Sequence, residues 1–293
     1  MPETISTVVR DWLPRDRDAT MESRPARLAL ILATIVVLTL FLFLPLAVVF
    51  VEAFRKGLPY FARAIAAPDT LSAIGLTLRT AAICVPLNAI FGLAAAWAVA
   101  RFDFVGKNFF VTLIDLPFSV SPVVAGLAYV LLLGANSPIG GFLEAHGIDV
   151  IFAWPGIVAA TTFVTFPFVA RELIPLMQQQ GSDDEQAALT LGASPLRMFF
   201  TVTLPNVKWG LLYGLLLCNA RAMGEFGAVA VVSGHVRGQT NTLPLQVEAL
   251  YQDYDLAGAF AVASLLAGLA LVTLVLKTAL EWHYGAELAS KRG

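Results

Sequence analysis

Charge is what this sequence has least of. Only 14% of its 293 residues are Asp, Glu, Lys or Arg, against about 25% in an average soluble domain. The 19 basic and 21 acidic residues nearly cancel, leaving a formal charge of -2. Without a basic excess there is nothing to meet a phosphate backbone, so nucleic-acid binding is excluded as a function class. Cysteine is almost missing too. Cys84 and Cys218 each sit inside an apolar run and form no CxxC pair, which excludes a disulfide framework. The three histidines, His146, His235 and His283, are scattered without ligand spacing, so neither a metal site nor a cofactor is expected. A phosphate loop of the form GxxxxGK[ST] is absent. Gly106-Lys107-Asn108 is the nearest fragment, and it fails the pattern.

What the sequence does have is apolar length. Hydrophobic residues make up 58% of the chain, and six runs are long enough for a bilayer, which takes about 20 residues. They cover 28–54, 71–100, 109–133, 151–176, 209–233 and 257–280. None alternates in polarity as a barrel strand would, so the spans are expected to be helices. The predicted organisation is an N-terminal tail, 1–27, a six-helix membrane domain, 28–280, and a C-terminal tail, 281–293. Of the 19 Lys and Arg, four (Arg55, Lys56, Arg63, Arg237) fall on one side and three (Arg79, Arg171, Arg221) inside spans. The other twelve share the side that holds both termini, which the positive-inside rule makes cytoplasmic.

The longest loop, 177–208, then faces the cytoplasm, and its local chemistry predicts a helix–turn–helix over 182–205. Ser182 is placed to cap a first helix, with Glu185 three residues on completing a capping box. Gly192 is placed to end that helix. Ser194 and Pro195 start a second helix, which Leu204-Pro205 is expected to stop. Such a compact knob suits a grip by another protein. Gln186-Ala187-Ala188, three residues, Gly192, nine residues, Val202, one residue and Leu204-Pro205 resembles the EAA motif of bacterial ATP-binding-cassette import permeases. That motif reads Glu-Ala-Ala, x3, Gly, x9, Ile, x, Leu-Pro. Gln186 replaces its Glu and Val202 its Ile. The resemblance implies that Glu185, Gln186, Ala187, Ala188, Gly192, Leu204 and Pro205 form a coupling loop held in a groove of an ATPase subunit.

Two further stretches, Asp115–Gly126 and Arg221–Ala228, resemble signatures of sulfate and molybdate permeases. Val229–Thr240 with Leu243-Pro244-Leu245-Gln246 is similar to the W-type subunit of the sulfate/thiosulfate permeases. The resemblance, over about residues 28 to 280, implies an all-α, six-helix permease of the type I ABC importer fold. It implies a non-catalytic subunit in a bacterial inner membrane, paired with a T-type permease, two copies of an ABC ATPase and a periplasmic sulfate- or thiosulfate-binding protein. A molybdate or tungstate permease is the alternative within the family. A channel or secondary anion carrier is the alternative from another class. The sequence argues against the latter, since it has no Asn-Pro-Ala triplet and only one evident proline-broken span.

Within the spans, five residues are candidates for the translocation path. Ser119 and Ser121 flank a break expected at Pro117 and Pro122, and their hydroxyls can bond an oxyanion. Arg79 lies about 12 Å into span two at 1.5 Å per residue, able to snorkel or to face an anion. Arg221 and Glu225, four apart, are expected to share a helix face and pair at the centre of span five.

Overall fold

The computed structural model describes the backbone of residues 24–290 and the side chains of 25–279. Most of the predicted 1–27 tail and the last three residues lie outside that range. The chain divides into two compact units, residues 1–48 and 49–293. The first holds α1 (Arg24–Leu38), a π-helical turn, Thr39–Phe43, and the start of α2 (Leu44–Ala53), whose last residues belong to the second. This rod is apolar on every side, and its large side chains, such as Phe41 and Phe43, are exposed. A helix that is hydrophobic all round is stable only in lipid or inside a larger assembly.

Among its described residues, the regular secondary structure of the second unit is all helix. After α2 come α3 (Leu58–Ala66), α4 (Pro68–Arg101), α5 (Lys107–Ser119), α6 (Pro122–Leu133), α7 (Pro138–Ala145) and α8 (Trp154–Gln180). The chain continues through α9 (Asp183–Thr190), α10 (Pro195–Met198), a second π turn (Phe199–Thr203), α11 (Leu204–Met223), α12 (Gly227–Val232), α13 (Leu243–Gln252) and α14 (Leu256–Ser290). Proline sets much of this punctuation. Helices α3, α4, α6, α7, α8, α10 and α13 each carry one in their first two positions, where its missing N–H costs nothing.

The core is the contact of α4 with α8, joined by α11. These helices approach closely because Gly92 on α4 lies against Val169 on α8, where an added Cβ would sit 2.7 Å from the valine Cβ. Ala96, Val169, Leu173, Met177, Val207 and Cys218 fill the junction. Asn88, fully buried, donates to the Thr165 hydroxyl at 2.8 Å and to the Cys218 sulfur at 3.4 Å, tying the three helices together. Interhelical bonds of this kind contribute about 0.6–2 kcal/mol in a membrane. The two cysteines thus serve packing, as free buried thiols.

Four of the six predicted runs are single helices long and apolar enough to cross a membrane: Pro25–Ala53, Pro68–Arg101, Trp154–Gln180 and Leu256–Ala279. The third run is a bent pair, α5 and α6 meeting at 106°. Val120 and Ser121 take extended ψ values of 133° there, which for Ser121 is what a residue before proline prefers. The fifth run is interrupted. Helix α11 ends at Met223, and Gly224–Phe226 separate it from the six-residue α12. Helices α6 and α12 pack together, with Gly227 so close to Pro122 that an added Cβ would sit 3.0 Å from its ring carbon. The two breaks therefore adjoin.

Candidate coupling loop and translocation path

At the end of the second unit where α4 and α8 finish, residues 181–205 fold back as the expected knob, with one point of agreement and two differences of detail. First, the capping box does not form. The Ser182 hydroxyl accepts from the Gln186 side-chain amide at 2.7 Å instead of from the backbone. Glu185 turns inward, because a stronger partner is available. Its carboxylate meets the Arg101 guanidinium at 2.7 Å and accepts from the Thr203 hydroxyl at 2.8 Å. Second, the turn between α9 and α10 does use Gly192, at φ +85°, while Ser194 caps α10 by accepting from the Arg197 amide. Third, Leu204-Pro205 does not stop the helix. The π turn Phe199–Thr203 widens the ladder just ahead of Pro205, so the ring and its missing N–H are absorbed and the helix runs on into α11.

The knob presents an apolar surface. Leu191 is 88% exposed, Leu196 74% and Phe200 62%. Gln186 and Ala187 are exposed beside them, Ala188 and Leu204 are half-buried, and Pro205 is exposed. Asp184 accepts from the Asn206 amide, and Gln180 donates to the Asn206 carbonyl, bracing the knob at its base. Exposed apolar groups on a braced, polar-rimmed protrusion mark a contact surface.

The adjoining breaks hold four of the five candidate path residues. Ser119 ends α5, Ser121 precedes α6, and both are exposed without a side-chain hydrogen bond among the described residues. Arg221 and Glu225 pair at 2.6 Å, but not along one helix as expected. Glu225 lies beyond the end of α11, with its side chain fully buried, and its second oxygen accepts from the Ala228 amide at 2.9 Å. The carboxylate therefore bridges the break, bonding the last turn of α11 and the first turn of α12, where negative charge suits the helix dipole. Arg79 stands apart on α4, exposed, with no hydrogen bond or ion pair among the described residues.

Two groups have more prominent contacts than sequence reasoning assigned them. Arg171 on α8 pairs with Asp115 on α5 at 3.2 Å, its guanidinium 5.2 Å from the centre of the Phe118 ring. Asp115, Phe118 and Ser119 share one face of α5, so this pair adjoins the first break. Arg101, read only as a loop charge, is a buried partner of the knob. Neither pairing has a sequence signal, since the partners are 56 and 84 residues apart. Among the described residues no group of three His, Cys, Asp or Glu is arranged to hold a metal.

At the opposite end, Tyr60 of α3 donates to both oxygens of Asp255, which also meets Lys56 at 3.4 Å and caps the Gly258 amide. Burial pushes the Asp255 carboxyl up, but the Tyr60 hydroxyl, the Gly258 amide and Lys56 together leave it below its ordinary value. The bond to Asp255, with burial, raises the Tyr60 phenol. Nearby, Arg237 grips Asp253 through two bonds, 2.7 and 2.9 Å, which lower that carboxyl.

Comparison with known proteins bears on this arrangement. Residues 88–284 match the family described as binding-protein-dependent transport system inner membrane component. The sulfate transport system permease protein CysW of Escherichia coli K12 is 54% identical over 242 residues, covering 83% of each chain. The CysW protein of Synechocystis is 54% identical over 248 residues, 85% of this chain and 90% of the relative. The CysT permease of Salmonella typhimurium is more distant, 33% identical over 246 residues, 84% of this chain and 89% of that one. A chain of the crystal structure of a bacterial alginate ABC transporter in complex with an alginate pentasaccharide-bound periplasmic protein superposes with a TM-score of 0.73 at 17% identity, over 94% of this chain and 96% of its own. That likeness extends the common fold across both broken spans. The chain belongs to the binding-protein-dependent transport system inner membrane components, beside the sulfate transport permeases of CysW type.

Proposed function

We propose that this chain is the membrane permease subunit of an ATP-driven sulfate importer, with thiosulfate as a second substrate. It carries no phosphate loop of its own, so the energy has to enter from a separate ATPase. The observation that carries the reading is the knob at 182–205, an exposed apolar surface held on a braced stem at the motif's spacing. Two ATPase copies would grip the knobs of this subunit and of a T-type partner; that Escherichia coli K12 has both a CysW and a CysT relative supports the pairing of permeases. A periplasmic binding protein would deliver the oxyanion to the opposite end, and both termini would lie in the cytoplasm of a bacterial inner membrane. The path would run past the two adjoining breaks, where Ser119, Ser121 and Arg221 offer hydrogen bonds to an oxyanion. Glu225 offsets the charge of Arg221, which keeps a divalent anion from being trapped. This subunit would do no chemistry.

The test is reconstitution with ATPase, partner permease and binding protein in proteoliposomes, following labelled sulfate. Uptake should require ATP and the binding protein. Uptake that persists without the ATPase would make the protein a channel or secondary carrier instead. Preference for molybdate over sulfate would move it to the molybdate or tungstate permeases.

A further inference from the structure

The knob is joined to the rest of the second unit by more than its own chain ends, and the join is ionic. Arg101, the last residue of α4, has a side chain 10% exposed, and its Nε lies 2.7 Å from a Glu185 oxygen that belongs to a side chain 9% exposed. Its Nη1 donates to the Met177 carbonyl near the end of α8 at 2.6 Å. Glu185 in turn accepts from Thr203 in the π turn. One guanidinium–carboxylate pair thus connects four elements: α4, α8, α9 and the π turn that leads into α11.

Stability alone does not call for ions here. A buried ion pair seldom outperforms well-packed apolar side chains of the same volume, and its best-attested use is to fix register between parts that have to stay matched. The pair also sits where a match matters. Helix α9 packs mainly against its own hairpin, α10 and the π turn, and reaches α11 through Asp184 and α4 through the Glu185 side chain. Arg101 ends a 34-residue helix whose middle is pinned to α8 and α11 by Asn88 and whose far part is pinned to α13 by the Thr77 hydroxyl, which accepts from the Leu243 amide at 2.8 Å. A displacement of α9 is therefore passed to α4 through the Arg101–Glu185 ion pair, and on to α8 through the charge-assisted bond from Arg101 Nη1 to the Met177 carbonyl.

We infer that Arg101 is a positioning residue for coupling: through Glu185 it transmits movement of the ATPase-facing knob to α4 and, through the Met177 carbonyl, to α8. The inference rests on the function proposed above and adds to it the element that carries the stroke. Arg101 touches neither the exposed face of the knob nor the two breaks. Its loss should leave docking and the path intact while disconnecting them.

The experiment uses the complete complex in proteoliposomes, comparing wild type with Arg101→Gln, Arg101→Lys and Arg101→Gln/Glu185→Gln. Co-purification of the ATPase, ATP hydrolysis and sulfate uptake are read together. Arg101→Gln should retain the ATPase and its hydrolysis while the ATP used per anion rises about tenfold, the scale of losing one coupled pair. Arg101→Lys should fall between it and wild type, and the double variant should be no worse than the single one. An unchanged ratio of ATP to anion in assembled Arg101→Gln overturns the inference. Failure of both Arg101→Gln and Arg101→Lys to assemble also overturns it, by making the pair a folding element alone. Absence of ATP-dependent uptake in the wild-type complex would instead bring down the proposed function itself.

Discussion

Single residues decide the two sites. Gly192 holds φ +85°, and an added Cβ would meet nothing within 4 Å. A bulky residue there is therefore opposed by backbone strain alone, about 1–2 kcal/mol. Gly192→Val should tilt α9 away from its seat and reduce ATPase retention, with normal membrane insertion; full retention in a pull-down would remove Gly192 from the docking argument. For Arg221 and Glu225, burial decides the direction. Arg221 is one-third exposed and can be hydrated, whereas Glu225 is fully buried. Arg221→Gln leaves an uncompensated carboxylate and should cost about 3–5 kcal/mol. Adding Glu225→Gln should restore much of that loss, because the amide oxygen still accepts from Ala228. Thermal midpoints in detergent check this, and a double variant less stable than Arg221→Gln would contradict it. Exchanging the two residues should fail, since it puts a cation at the α12 N-terminus and removes its cap.

Elements show how far reading from sequence reaches. The long apolar helices, Gly192 and the Ser194 cap were legible because each depends on residues close in sequence. The capping box at Ser182 was misread, since Glu185 has a local role and a distant one, and a buried guanidinium outbids a backbone amide. The second break was hidden because the four-residue spacing of Arg221 and Glu225 fits a continuous helix just as well, despite Gly224 within it and Gly227 just beyond. At the other end, the α3–α14 clamp of Tyr60, Lys56 and Asp255 makes a pH-dependent contribution whose sign follows from the shifts. The Asp255 carboxyl is depressed in the folded state, so its contribution is complete above the ordinary value near 3.9 and disappears as pH falls through the lower folded value. The Tyr60 phenol is raised, so its contribution holds up to about pH 10 and fades as pH rises beyond. Tyr60→Phe should lower the thermal midpoint by an amount constant between about pH 5 and 8 and shrinking below about pH 4. A deficit that grows in acid would reverse this assignment.

For the whole molecule, orientation is the property on which partners depend. A reporter active only in the periplasm should be active when fused within 234–256 and silent within 177–208 or after 285. The opposite pattern would place the knob away from any cytoplasmic ATPase. Helix α4 has one more implication, and it concerns the lipid. Its 34 residues extend about 50 Å at 1.5 Å each, while the hydrocarbon layer is about 30 Å thick. The surplus of about 20 Å has to be taken up by tilt or by projection past the headgroups. Asp69 and Arg101 at its two ends resist withdrawal into the hydrocarbon. Bilayer thickness therefore acts as a mechanical variable for this protein: a thicker membrane draws α4 upright and shifts the height of the knob above the headgroups, where the proposed ATPase would engage.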